Sequence, residues 1–372
     1  MIQGTLQQLE GRLCRSVMKA SEVAIGRVVG ARKAEKILIV SNPEPHVFPI
    51  AESLYVQALE VEAEATLVIQ PIKSQFDYAN EAVVAAIASK PDICLSISKR
   101  KMGKDRKALA NPYTGEDGRT YDSTYEYLRS GVKQMRGFWT PGITLDMWSR
   151  TVDIDYDQLA ERCRRLKKAL TGAKEVRINS SKGTDVVISI EGMAPMADDG
   201  DFRSPGRGGN LPAGEVFISP KAGTTNGRVV FDGSFSIEDT VVLKDPIEVT
   251  IENGFVTEVE GKQEARQLLK RITDAEREPL EMAERGDFKP EVAEKYARNA
   301  RSIGELGIGL NPKARIVGLM LEDEKVLGTI HLAIGSDYDR VNPALIHLDG
   351  LVMQPTVEVD GKVIMEDGEL RR

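Results

Sequence analysis

Cysteine is too scarce in this chain to build a disulfide framework. Only Cys14, Cys94 and Cys163 occur in 372 residues. No two stand in a C-x-x-C pair, and each sits in an apolar or helical pattern, so packed free thiols in a reducing compartment are expected. Long apolar runs are missing too. Nothing approaches the roughly 20 residues of a membrane span, and the N-terminus lacks the continuous apolar stretch of a signal peptide. The expectation is a cytoplasmic protein with no membrane partner. A basic excess is also absent: the net charge is −7. That argues against nucleic acid as a partner, because displacing phosphate counterions needs a positive face. Neither G-x-x-x-x-G-K-[ST] nor G-x-G-x-x-G is present, so nucleotide binding has no motif behind it.

What is there suits a folded chain of about two domains. Early on, short apolar runs alternate with amphipathic segments. Lys36–Val40, Ala65–Ile69 and Ile93–Ile97 read as buried strands, with helices over Val47–Val61 and Glu81–Ser89 between them. This βαβαβ order predicts an α/β N-terminal domain with a parallel sheet. A further helix, Asp155–Leu170, is closed by Gly172. Strand patterns dominate after residue 173: Glu175–Asn179, Asp185–Ile190, Glu215–Ser219, Arg228–Phe231 and Ile247–Ile251. Asn253-Gly254 and Asp360-Gly361 each separate two alternating runs, the signal of a tight hairpin. Helical patterns cover Glu264–Arg285 and Pro290–Ser302. The reading is an α/β domain over residues 1–173 and a mixed α+β metal-binding domain over 174–372. Ala197–Gly214, rich in Gly, Asp and Pro, reads as an ordered loop.

Histidine, the scarcest potential ligand, is the informative one. Of the three present, His331 and His347 lie 16 positions apart. Period-2 alternation sends His347 and Asp349 to one strand face while Ile346 and Leu348 face a core. His331 likewise projects opposite Ile330, Leu332 and Ile334. A lone strand histidine is more often a core or surface residue than a ligand, and the H-x-D spacing shifts that balance only somewhat. Glu305 shares its strand face with Gly307 and Gly309, which leaves room for a metal or substrate, or for a closely packed sheet edge. Glu215 opens a short strand after a glycine-rich loop and alone would read as an exposed carboxylate. Together, two imidazoles and three carboxylates fit zinc, cobalt or manganese. Five ligands exceed what one catalytic zinc takes from protein and suit two ions sharing a carboxylate. The basic run Ser98–Lys107 is read as a solvated loop before an anion site, and Asp198, Asp199 and Asp201 lack calcium-loop spacing.

These motifs resemble the M29 metallopeptidases, the aminopeptidase T and aminopeptidase S group. The family segments are matched, in order, by Pro212–Phe217 (PAGEVF), by Ile303–Glu305 running to Pro312, and by Asp323-Glu324 leading to His331–Gly335 (HLAIG). Tyr338 follows seven residues after His331, and His347–Asp349 supplies the His-x-Asp. The resemblance covers residues 174–372. It implies that Glu215, Glu305, His331, His347 and Asp349 hold two divalent ions and that Tyr338 assists at the reacting carbonyl. Glu305 or Glu215 would pass the proton. The implied activity is removal of N-terminal residues from small peptides, and the implied assembly is a homodimer. The chain reads as shorter than typical members of the family, and the segment between His331 and His347 is compact. A distant branch, the 2,5-dihydroxypyridine dioxygenases with one ferrous ion, lacks counterparts of Glu215, Glu305 and His331. The sequence therefore reads nearer the peptidases, with a mononuclear Fe(II) ring-cleaving dioxygenase as the alternative.

Overall fold

A computed structural model describes residues 13–74, 76–339 and 341–371. Contacts group the chain into two compact units, one of residues up to Ala160 together with Asp198–Ala213, the other of Glu161–Ala197 with Gly214–Arg372. This division does not coincide with the change of sequence pattern at residue 173.

The first unit carries a five-stranded, all-parallel sheet. Its order is Gly208–Asn210, Arg136–Trp139, Ile93–Ile97, Lys36–Ser41, Glu64–Ile69. The central strands are buried along nearly their whole length, as β-branched runs covered on both faces should be. Helix Phe48–Glu60 starts with Pro49 in its first turn, where a missing N–H is harmless, and buries Ile50, Ala51, Leu54 and Ala58. Arg136 is buried at the start of its strand. Its guanidinium donates to Glu35 at 3.1 and 2.7 Å and to the Val29 carbonyl at 2.8 Å.

Two expectations fail in this unit. Cys14 is exposed beside helix Arg15–Val23, whereas Cys94 is buried as expected. The segment read as a plain loop contains the strand Gly208–Asn210, which extends the parallel sheet. Two glycines hide it from propensity, and they are there for space. A Cβ at Gly208 would stand 2.6 Å from the Gly137 carbonyl oxygen, and one at Gly209 would stand 2.8 Å from the Phe202 ring. The nearby acidic residues are neutralised locally: Asp201 pairs with Arg203 and Asp199 with Arg207. In the basic run, Asp105 caps helix Arg106–Ala110.

The second unit holds two sheets. The eight-stranded one is ordered Phe255–Glu260, Ile247–Glu252, Asn226–Phe231, Asp185–Ser189, Glu175–Asn179, Thr356–Val359, Lys362–Glu366, Glu369–Leu370. Its expected hairpins are present, with φ of 51° and 80° at Asn253 and Gly254 and 47° and 78° at Asp360 and Gly361. Positive φ at both turn residues matches the strand twist. The seven-stranded sheet runs Thr240–Val242, Ser234–Ser236, His347–Met353, Thr329–Gly335, Ile303–Gly309, Glu215–Ile218, Met196–Asp198. Its middle strands are antiparallel to their neighbours and buried almost throughout. Among the described residues no helix is long and apolar enough to cross a membrane.

Candidate metal centre

Four adjacent strands of the seven-stranded sheet bring the predicted side chains to one face. The register explains why they fit. Glu215 lies opposite Gly309, His331 opposite Gly307, and His347 opposite Gly335, while Ala333 stands between Glu305 and Asp349. Each long polar side chain therefore faces a residue with little or no side chain of its own. Directly opposite residues of an antiparallel pair share a face and lie close enough to crowd each other. At Gly307 the margin is absolute, since a Cβ there would sit 2.0 Å from His331 Nε2.

Glu305 joins the two imidazoles. Its Oε1 is 3.3 Å from His331 Nε2 and its Oε2 is 3.2 Å from His347 Nε2. His347 Nε2 is also 3.2 Å from Asp349 Oδ1, and His331 Nε2 is 3.6 Å from Glu215 Oε2. The Nδ1 of His347 lies 2.8 Å from the Ser336 carbonyl oxygen. A carbonyl only accepts, so Nδ1 carries the proton, and neutral His347 presents the Nε2 lone pair to the site. All five predicted ligands are thus brought together.

Among the described residues two clusters of possible ligand atoms result: Glu215, Glu324 and His331, and Glu305, His347 and Asp349, with the atoms of each lying within 4.8 Å of one another. Glu324 has no place in the sequence-based ligand set, which matched it to a family segment without giving it a role. It follows the short helix Met320–Asp323 rather than lying on a strand, so no alternation marks it. Its neighbour Lys325 is fully buried, and the ammonium donates to Glu215 Oε1 at 2.6 Å and Glu324 Oε1 at 2.5 Å. Asp323, by contrast, is structural, accepting from the Val317 and Gly318 amides.

A test of whether these residues suit a divalent ion lies in their unmet bonding. Among the described residues, Glu215 Oε2 and His331 Nδ1 are buried without a hydrogen-bond partner, and Asp349 Oδ1 is buried with only its 3.2 Å ion-pair contact to His347. Buried polar atoms are ordinarily paired, and an anionic oxygen left so is costly unless a cation joins it. The donor set of imidazole and carboxylate suits a borderline metal. Protonation tells the same story. Burial disfavours charge on His331, yet the hydrogen bond and charge of Glu305 push its pKa up to about 9. Burial would raise Asp349, but the charge of His347 takes it down to about 2. Glu305 is likewise held below the usual carboxylate range by His331 and His347 despite its burial. The imidazoles thus gather protons where a bound cation would supply the positive charge.

Tyr338 stands at the rim, 55% exposed, its ring 5.0 Å from Phe217 and 5.4 Å from His347 between centroids. Desolvation and the charges of Glu305 and Asp349 push its phenol well above the ordinary value. Half of the residue is open to solvent, so repulsion by these carboxylates is what holds the phenol protonated. Tyr338 therefore stays a protonated donor.

The family described as NicX, 2,5-dihydroxypyridine 5,6-dioxygenase, matches residues 152–372, more than half of the chain. This chain belongs to the NicX family. The branch set aside on its ligand residues is thus the one whose family it joins. Solved structures share the fold. The 2,5-dihydroxypyridine dioxygenase of Pseudomonas putida KT2440 aligns with TM-score 0.69 at 14% identity, covering 95% of this chain and 96% of that one. AmpT from Thermus thermophilus, an M29 aminopeptidase, aligns with TM-score 0.65 at 19% identity, covering 96% and 99%. At such identities the likeness concerns fold alone. No curated relative matches the sequence. A NicX family member thus carries, on a fold common to both groups, the carboxylate-rich face described above.

Proposed function

We propose that this NicX family member is a metal-dependent aminopeptidase, hydrolysing the N-terminal bond of small peptides. The observation that carries the reading is the Glu305 carboxylate, which belongs to one cluster through His347 and reaches the other through His331, one oxygen against each imidazole. A carboxylate so placed suits a bridge between two ions. Zinc, cobalt or manganese held by Glu215, Glu324 and His331 and by Glu305, His347 and Asp349 would supply an acidified water and polarise the scissile carbonyl.

The chain's own groups do the rest. As water adds to the carbonyl carbon, its proton passes to a site carboxylate, Glu215 rather than the Glu305 whose two oxygens would be taken up in a bridge, and then to the leaving amine as the C–N bond breaks. Among the described residues Glu215 Oε2 has no hydrogen-bond partner, only the 3.6 Å approach of His331 Nε2, while Oε1 is held by Lys325, so one of its oxygens is oriented and the other can take a proton. Tyr338 donates its phenolic proton as a hydrogen bond to the carbonyl oxygen as charge develops there. The Phe217 ring packed on Tyr338 fixes the phenol's position.

The test is hydrolysis of an aminoacyl anilide by the chelator-stripped chain with added cobalt or zinc. His347→Ala is expected to lose roughly 100-fold or more in kcat/KM, the scale of removing a group the transition state needs. Full activity in that variant would rule the site out.

The family match supports a second reading, ring cleavage of a dihydroxypyridine with one ferrous ion. The two-histidine, one-carboxylate set that such iron uses is available only if His331 and His347 share Glu305, which leaves Glu215, Glu324 and Asp349 as extra acids around one ion. Oxygen uptake by the iron-loaded chain on 2,5-dihydroxypyridine, with no anilide hydrolysis under zinc or cobalt, would favour this reading over the first.

A further inference from the structure

The two clusters are not equivalent, and Lys325 is the reason. Its ammonium is buried and donates to two carboxylates of one cluster, Glu215 and Glu324. Glu305 and Asp349, in the other cluster, are paired among the described residues with imidazoles. Imidazoles can leave as neutral ligands by losing a proton and turning Nε2 to the ion. An ammonium cannot become a ligand without losing its charge, and being tethered and buried it cannot diffuse away. A divalent ion entering beside Glu215 and Glu324 must therefore compete with a fixed cation for the same oxygens. The desolvated setting strengthens that competition, because charge interactions are screened little there. One half-site offers two carboxylates that already accept hydrogen bonds from an ammonium; the other offers two carboxylates that contact imidazoles, with the Lys325 charge acting on Asp349 through space.

We propose that Lys325 acts as a built-in counter-ion that makes the centre fill in order. The first ion goes to Glu305, His347 and Asp349. The second enters beside Glu215, Glu324 and His331 only at much higher metal concentration. This rests on the metal-centre reading proposed above. Lys325 is here a positioning residue that sets metal number, and it touches no reacting atom. The working state of the enzyme would then depend on available metal, with one ion resident and the other exchangeable.

The experiment is metal counting on the full chain, stripped with chelator and then titrated with cobalt(II) chloride by calorimetry. In parallel, bound cobalt is measured by elemental analysis after desalting. The wild type is expected to keep one equivalent through desalting, with a second dissociation constant at least 100-fold weaker. Lys325→Met is expected to keep two. Two equivalents of similar affinity in the wild type, or one in folded Lys325→Met, overturns the proposal. Should Lys325→Met fail to fold, Asp349→Asn decides: with Lys325 intact and the tight half-site damaged, no metal should survive desalting, and retention of a full equivalent overturns the ordering. No binding by the wild type at any concentration removes the metal centre itself, and the ordering with it, an outcome distinct from the other two.

Discussion

Glu305 shared by two imidazoles links metal affinity to acidity. With the His331 pKa at about 9 and His347 also raised, an ion must displace protons to bind at neutral pH. Affinity should climb at least about tenfold per pH unit from pH 7 up to about 9, where His331 has given up its proton. Calorimetry in buffers of different ionisation enthalpy would count the released protons, and a pH-independent affinity would contradict this picture. The ion-free chain should behave in the opposite sense. Raised histidine pKa values stabilise the fold fully below about pH 6.5, and that contribution fades as pH rises through about 9. Tyr338 lies outside both clusters, so Tyr338→Phe should reduce kcat by roughly 100-fold and leave the amount of bound cobalt unchanged. A loss of bound metal in that variant would make Tyr338 a ligand rather than a hydrogen-bond donor.

The strand face exists because small residues stand opposite large polar ones. Gly307→Ala places a methyl inside the His331 ring, and overpacking of this kind costs about 1–3 kcal/mol and disturbs the ligand. We expect a lower Tm and metal affinity weakened about tenfold or more; unchanged metal affinity by calorimetry would show that His331 does not need that space. Alternation along single strands gave the facing of His331, His347 and Asp349, and the glycines after Glu305 gave its face; that these residues and Glu215 form one set came from the family resemblance, not from the pattern. Period 2 tells which way a side chain points, and the site lies on strands. Glu324 and Lys325 escaped because they sit just past a short helix, where neither period applies, and because a buried lysine is recognisable only through its partners. Gly208–Asn210 escaped for a different reason: its glycines, needed for close approach, carry the signature of a loop. The hairpins at Asn253 and Asp360 were legible because positive φ limits which residues can stand there.

At the scale of the whole molecule, a largely buried ion pair in the first unit ties stability to pH. Burial would raise Glu35, but the Arg136 guanidinium holds its carboxyl below the usual value. That contribution is present above about pH 4.5 and is lost as pH falls through the depressed value. Glu35→Gln should therefore remove about 1–3 kcal/mol at neutral pH and less in acid, as read from denaturant unfolding at both; an equal loss at both would mean the charge plays no part. The order of the chain adds a constraint on how the molecule is made. Arg136–Trp139 pairs with a strand that begins at Gly208, and between them the chain enters the other unit and returns. At about 5–20 residues per second, a ribosome needs several seconds to deliver that last strand. The parallel sheet must wait that long with one edge open. A fragment trimmed to residues 152–372, the span of the family match, would inherit that strand without the partner it was built to pair with.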